Sequence, residues 1–332
     1  MHKRLVNQCV LHITLIPDGP MLIKSGQEGA DPTKPDMEFV ETYHDGRREI
    51  YLPGSSLKGA LRSQAERIVL TLGGDTYNDK KPDQLWAEAP APSRPHLKEK
   101  TAPDIYRHSC FTDQMFGNTH IASRIRIEDA YYDPTLKIPL ILEERNSVAI
   151  DRLSGATANT ALFNFEVCTS GAFSTRIWLR NFTLAQLGLM GLVLRDLSDG
   201  WFSLGFAKSR GLGVMKQVKL NKAIIQYPTC ILNDQQGEKK KGQQRQKKIA
   251  MIGRSQKFWR KTDILGASEF LEETKPYGLP DADKQDGYNP KYRPDVTPMS
   301  LNFGVQQCWE GQEKVESLFE LAVQSWQKKV TA

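Results

Sequence analysis

Two stretches of the chain set basic side chains beside backbone that can approach an anion closely. The first is Leu52-Pro53-Gly54-Ser55-Ser56-Leu57-Lys58-Gly59-Ala60-Leu61-Arg62. A Pro-Gly turn delivers two serines to the start of a helical pattern, where free backbone N–H groups and the helix dipole favour a phosphate. Lys58 and Arg62 are four residues apart, so they share a helix face and can follow a phosphate chain. An ordinary capped helix with a solvated basic face has the same pattern. The second stretch, residues 199–213, holds Gly200, Gly205, Gly211 and Gly213 around Lys208-Ser209-Arg210. Glycines let backbone come close to a ligand, and Lys208 and Arg210 add charge. A nucleotide-hydrolase loop is excluded, because Phe206-Ala207 separates Lys208 from Gly205 and the segment runs from helix to strand. His96, His108, Cys110 and His120 are metal-ligand types, but their spacing fits no zinc pattern and no second cysteine lies near, so structural zinc is disfavoured.

These residues need elements to hold them. Leu5, Cys9, Leu11, Ile13 and Leu15 predict a strand over residues 5–16 with one apolar face. A turn-rich stretch follows over 17–35. Residues 55–72 read as a helix, with Leu57, Leu61, Ile68 and Leu72 at helical spacing and Gly73-Gly74 as its stop. Residues 75–113, rich in Pro, Lys and Asp, read as an insertion or long loop. Strands are predicted over 123–132, 163–168, 173–179 and 212–220. A helix over 183–197 opens on the capping box Thr183-Leu184-Ala185-Gln186. The order strand, helix, strand, strand, helix, strand is the βαββαβ order of a ferredoxin-like, RNA-recognition-motif-like α+β core. A terminal amphipathic helix is expected over 310–328, with Val315, Leu318, Phe319, Ala322 and Trp326 on its buried face.

Charge and cysteine usage narrow the class. The 332 residues carry 45 Lys+Arg against 39 Asp+Glu, a net charge of +6. Residues 239–261 alone contain ten basic residues and no acid, so the rest of the chain is acidic on balance. A local basic segment suits contact with a polyanion. Within it, Phe258-Trp259 between cations suggests stacking on bases, while 239–248 read as a solvated charge run. No apolar run is long enough to span a bilayer, and the N-terminus has no signal-peptide core. The five scattered cysteines argue against a disulfide framework. The expectation is a cytoplasmic protein with no membrane contact.

Taken together and in order, four segments resemble the repeat-associated mysterious protein (RAMP) superfamily of CRISPR systems. They are the Pro-Gly-Ser-Ser-Leu-Lys-Gly segment after the first strand, and Phe116-Gly117 followed by Arg124-Ile125-Arg126-Ile127-Glu128-Asp129-Ala130. The others are Ile150-Asp151-Arg152-Leu153-Ser154-Gly155 and the Lys208-Ser209-Arg210-Gly211-Leu212-Gly213 loop. The third is similar to a segment of type III backbone subunits. The resemblance implies a core over 1–222 that binds guide RNA through Ser55, Ser56, Lys58, Arg62, Arg152, Lys208, Ser209 and Arg210. It further implies a thumb hairpin at about 138–165 that intercalates at the guide–target duplex, a basic C-terminal extension over 223–332, and other CRISPR effector subunits as partners. In type III backbone subunits an acidic residue in the loop after the first strand cuts target RNA with a divalent metal. That loop here is 24–40. Asp36, followed by Met37-Glu38-Phe39-Val40, matches better than Asp31. Its carboxylate is suited to a Mg²⁺ that supports attack of a ribose 2′-hydroxyl on the adjacent phosphate.

Two other readings stay open. A repeat-processing endoribonuclease of the same superfamily would need a histidine near the Gly-rich loop, with His12 and His44 as candidates. A non-catalytic scaffold or cap subunit would only bind RNA and partners.

Overall fold

The computed structural model describes residues 4–26, 35–81, 83–88, 94–233, 248–252, 257–287 and 292–331. Asp31 and residues 239–247 of the basic run lie outside the described residues.

The chain begins with β1 (Gln8–Pro17), whose alternating Cys9, Leu11, Ile13 and Leu15 are buried. A hairpin of β2 (Glu41–His44) and β3 (Arg47–Leu52) follows, turning at Asp45-Gly46, both at positive φ. The sequence pattern does not announce this hairpin, because Arg47, Arg48 and Glu49 break the apolar alternation. Helix α1 (Gly54–Leu72) runs as expected. The 75–113 segment is not a structureless loop. It carries α2 (Ala102–His108) and leads into the single turn α3 (Asp113–Phe116), with Leu85, Trp86, Leu97 and Tyr106 buried as anchors.

The strand expected over 123–132 is two, β4 (Ile125–Ile127) and β5 (Ala130–Tyr132). It breaks at Glu128-Asp129, whose carboxylates serve other partners: Glu128 accepts from Arg176 and Trp178, and Asp129 from the Gly54 amide. The long hairpin of β6 (Ile141–Ile150) and β7 (Thr157–Ser170) precedes β8 (Phe173–Arg180). Strand β6 is exposed along nearly its whole length, while Phe165, Val167 and Cys168 of β7 are buried, so the hairpin is packed on the body through the second half of β7 and stands clear toward its tip. Helix α4 (Leu184–Ser198) has the full capping box, and β9 (Met215–Tyr227) closes the matched pattern.

Beyond β9, the chain forms β10 (Cys230–Asn233), β11 (Lys248–Met251) and β12 (Phe258–Arg260) as one small sheet. It then pairs β13 (Asp263–Leu265) with β14 (Lys284–Asp286). Strands β15 (Asp295–Pro298) and β16 (Val305–Glu310) join the main sheet by pairing β16 with β9. Helix α5 (Gln312–Thr331) buries the predicted stripe Val315, Leu318, Phe319, Ala322 and Trp326. It crosses α4 closely, since a Cβ at Gly188 would stand 2.6 Å from the Ala322 carbonyl oxygen.

The result is a mixed α/β architecture. The main sheet has nine strands in the order β15-β16-β9-β1-β8-β5-β3-β2, with β4 also paired to β8, and every pairing is antiparallel. Helix α1 packs against β4, and α4 and α5 pack against β9. The core lies between this helical layer and the sheet. Among the described residues no helix is long and apolar enough to cross a membrane.

Candidate nucleic-acid interface

The Gly-rich loop is stitched to the segment that leaves β1. The Phe206 amide donates to the Leu22 carbonyl at 2.7 Å, and the Gly213 amide to the Pro20 carbonyl at 2.9 Å. Gly213 has φ +81°, and a Cβ there would overlap the Leu204 carbonyl oxygen, so no other residue fits. This anchoring presents the short 3₁₀ turn Lys208–Arg210 to solvent. Lys208, Ser209 and Arg210 are exposed, and within the described residues no hydrogen bond or ion pair engages their side chains. The Arg210 guanidinium lies over two rings instead, 5.2 Å from the Phe206 centroid and 5.9 Å from that of Phe163 on β7.

Asp36 reaches the same neighbourhood from the other side. Its amide donates to Asn164 Oδ1 at 2.7 Å, and the Asn164 amide donates back to Asp36 Oδ2 at 3.0 Å. Glu166 and Met37 continue the contact, with the Glu166 amide 3.0 Å from the Met37 carbonyl oxygen. Asn164 in turn donates through Nδ2 to Glu144 Oε1 at 2.7 Å. Asp36 is therefore exposed yet clamped against the middle of β7, on Asn164, the residue after the Phe163 that lies under Arg210. Among the described residues Asp36 Oδ1 has no partner. No group of three or more His, Cys, Asp or Glu side chains among them could hold a metal. The donor set fits an ion that keeps most of its waters and takes one protein carboxylate with substrate phosphates, the usual manner of Mg²⁺.

The α1 motif is built differently. Ser55 is exposed and Ser56 half-buried at the helix start, and no side chain caps it. The Gly54 amide already donates to Asp129 Oδ1 at 2.7 Å, so a carboxylate from between β4 and β5 occupies part of the anion-favouring end. Lys58 and Arg62 share one face as expected. Lys58 Nζ donates to Ser123 Oγ at 2.8 Å, and burial together with Arg62 lowers its pKa. Arg62 turns inward. It donates to Glu66 Oε1 at 2.7 Å, to the Gly117 carbonyl at 3.0 Å and to buried Asp113 at 2.7 Å, which also holds Arg94 at 2.8 Å. Arg62, expected to follow a phosphate chain, thus has three protein acceptors on its guanidinium.

Arg152 stands exposed at the hairpin tip. The turn is set by Asp151, which accepts from the Ser154 hydroxyl at 2.7 Å and from the Leu153 and Ser154 amides; these bonds lower its pKa. Leu153 beside it is 98% exposed, and Ile150 and Leu162 are also exposed.

Other sequence candidates go elsewhere. His12 sits on β1 between Arg176 and Lys222 of the flanking strands, and burial followed by those two cations lowers its pKa. His44 Nδ1 lies 2.7 Å from Glu49 Oε1, and its ring stacks on Tyr131. His96 stacks on Tyr77, His108 Nδ1 meets the Asp104 carbonyl, and Cys110 is buried beside Thr112. Trp259, read as a base-stacking aromatic, is 5% exposed. It donates to Glu269 at 2.9 Å and packs on Phe270, so it belongs to the core. The roles of Asn164, Asp129 and Phe163 depend on partners 128, 75 and 47 positions away, which no local pattern announces, whereas Phe206 lies four positions from Arg210. The only local signal was the Phe206 ring within the Gly-rich loop.

A family model described as the RAMP superfamily matches residues 14–216. The chain belongs to the RAMP superfamily. No curated protein matches it at a significant level. Membership ties this RAMP chain to CRISPR-associated RNA binding in company with other CRISPR subunits. The matched span takes in the end of β1, the α1 motif, Asp36, the hairpin and the Gly-rich loop, and ends inside β9.

Proposed function

We propose that this RAMP chain is a guide-RNA-binding backbone subunit of a type III CRISPR effector and cuts the guide-paired target RNA at Asp36. The core is read as ferredoxin-like, a reading supported by the adjacent order β9-β1-β8-β4 with α1 and α4 as its helices. Residues 1–222 are taken as this core, 138–165 as its thumb and 223–332 as the extension.

The clasp between Asp36 and Asn164 carries the proposal. It holds a carboxylate against β7 of the hairpin, on the residue that follows Phe163, one of the two rings that back Arg210. In this reading Lys208, Ser209 and Arg210 take guide phosphates, Ser55, Ser56 and Lys58 extend that track, and Arg62 holds the Phe116-Gly117 corner behind it. Arg152 and Leu153 at the hairpin tip reach the guide–target duplex. Asn164 fixes the Asp36 carboxylate through Oδ2 and leaves Oδ1 for the ion. A Mg²⁺ held there would supply charge neutralisation at the phosphate attacked by the neighbouring ribose 2′-hydroxyl. A non-catalytic scaffold is the second reading, favoured by the absence of further ligating side chains around Asp36 among the described residues. The repeat-processing reading has less support, because His12 and His44 are engaged away from the Gly-rich loop.

Asp36→Asn in the assembled complex decides between the first two. Asparagine still accepts from the Asn164 amide but lacks the charge the ion needs. Target cleavage is expected to fall by about 100-fold or more, with guide and target binding retained, and chelation of the metal is expected to mimic it. Full cleavage in Asp36→Asn with loss only in Asp31→Asn would transfer the role to Asp31. Full cleavage in both would leave the scaffold.

A further inference from the structure

The opposite end of β1 holds a second feature. A cleft of about 640 Å³ opens where the chain enters β1, walled by Tyr106 of α2, Ile121, Arg124, and Leu271 and Tyr277 of the C-terminal segment. Its volume is in the range of small-ligand sites. Ten residues of strand, roughly 30 Å, separate it from the Gly-rich loop.

Arg124 is the unusual group in its wall. The residue is 4% exposed. Its Nη1 donates to the Tyr106 hydroxyl at 2.9 Å and to the Asn181 carbonyl at 2.8 Å, and its guanidinium lies 4.0 Å from the Tyr106 ring centroid. Its Nε and Nη2 are buried, with no hydrogen-bond partner among the described residues. Those two N–H groups form one edge of the planar guanidinium, the edge that meets both oxygens of a carboxylate in a fork. A buried charge with an unbonded edge is unfavourable, and no packing role of Arg124 uses that edge.

We propose that this cleft binds an organic carboxylate carried on an apolar or aromatic body. The Arg124 edge takes the carboxylate, and Tyr106, Tyr277, Ile121 and Leu271 receive the body. Both nitrogens lie beneath the surface, so entry requires a wall side chain to change rotamer. Glu272 and Glu273, exposed at the cleft, repel a polyanionic backbone, which favours a small monoanion over RNA.

Calorimetric titration of the full chain with N-acetylphenylalanine and phenylpropionate, each against its amide, tests this. Saturable binding of the acids at millimolar concentration is expected, and the amides are expected to bind about tenfold or more weaker. Arg124→Gln is expected to abolish the difference between acid and amide. If that variant fails to fold, Ala102→Trp, which fills the cleft from an exposed position, is expected to block the acids at unchanged Tm. Equal binding of acid and amide, no saturable binding, or preferential binding of inorganic phosphate or short single-stranded RNA at Arg124 would each overturn the proposal.

Discussion

The guanidiniums of Arg62 and Arg210 sit in opposite surroundings. On α1, Arg62 faces Glu66, Asp113 and the Gly117 carbonyl, and Asp113 is shared with buried Arg94. On the Gly-rich loop, Arg210 faces, among the described residues, only the Phe163 and Phe206 rings. The first region uses cations to hold the 75–113 segment and the Phe116-Gly117 corner onto the helix. The second leaves them open for an outside anion. A basic residue becomes a ligand contact when the fold supplies it with no acceptor of its own, and aromatic backing holds the side chain out without neutralising it.

Three variants test this contrast. Arg62→Ala leaves buried Asp113 with one cation fewer, so a loss of about 3 kcal/mol in folding stability is expected in urea denaturation. The salt dependence of RNA binding by the folded protein should not change. A stable Arg62→Ala with a flattened salt slope would return Arg62 to the phosphate track. The Lys208→Ala, Arg210→Ala double variant should do the reverse. Its stability should shift by less than about 0.5 kcal/mol, while the slope of log K against log salt drops by about 1.4 for single-stranded RNA. Lys58→Ala falls between them. Lys58 is half-buried and already bonded to Ser123, so its slope change should stay below about 0.7, with roughly 1 kcal/mol lost in stability. A Lys58 effect as large as that of the double variant would erase the distinction between the two motifs.

Long, strongly periodic segments could be read in advance. The stripe of α5, the Thr183–Gln186 capping box and the buried face of β1 all follow from spacing within a dozen residues. The short strands could not be read this way. Strands β4 and β5 have three residues each, and Glu128-Asp129 between them looks like ordinary strand until its carboxylates find Arg176, Trp178 and Gly54. Around the candidate site, the Lys208–Arg210 turn was visible as a motif. Asn164 was not, because nothing near it in sequence marks an asparagine that clamps an aspartate 128 positions earlier. Trp259 carried the local signature of a base-stacking residue and proved to be core, since Glu269 and Phe270 cover it.

Local chemistry therefore determined the long helices α1, α4 and α5, which glycines shape the loop at 205–213, and which basic residues were available. The order of its motifs already carried the RAMP resemblance. Tertiary structure alone decided which charges stay open. Lys58, Arg62, Lys208 and Arg210 all carry one positive charge, and only the folded chain brings Asp113 and Glu66 to one arginine and two phenyl rings to the other. It also left one edge of Arg124 without a partner among the described residues. The physical reason is range. Helix and turn preferences act over a few residues, whereas the acceptors that satisfy or abandon a buried charge arrive from anywhere in the chain.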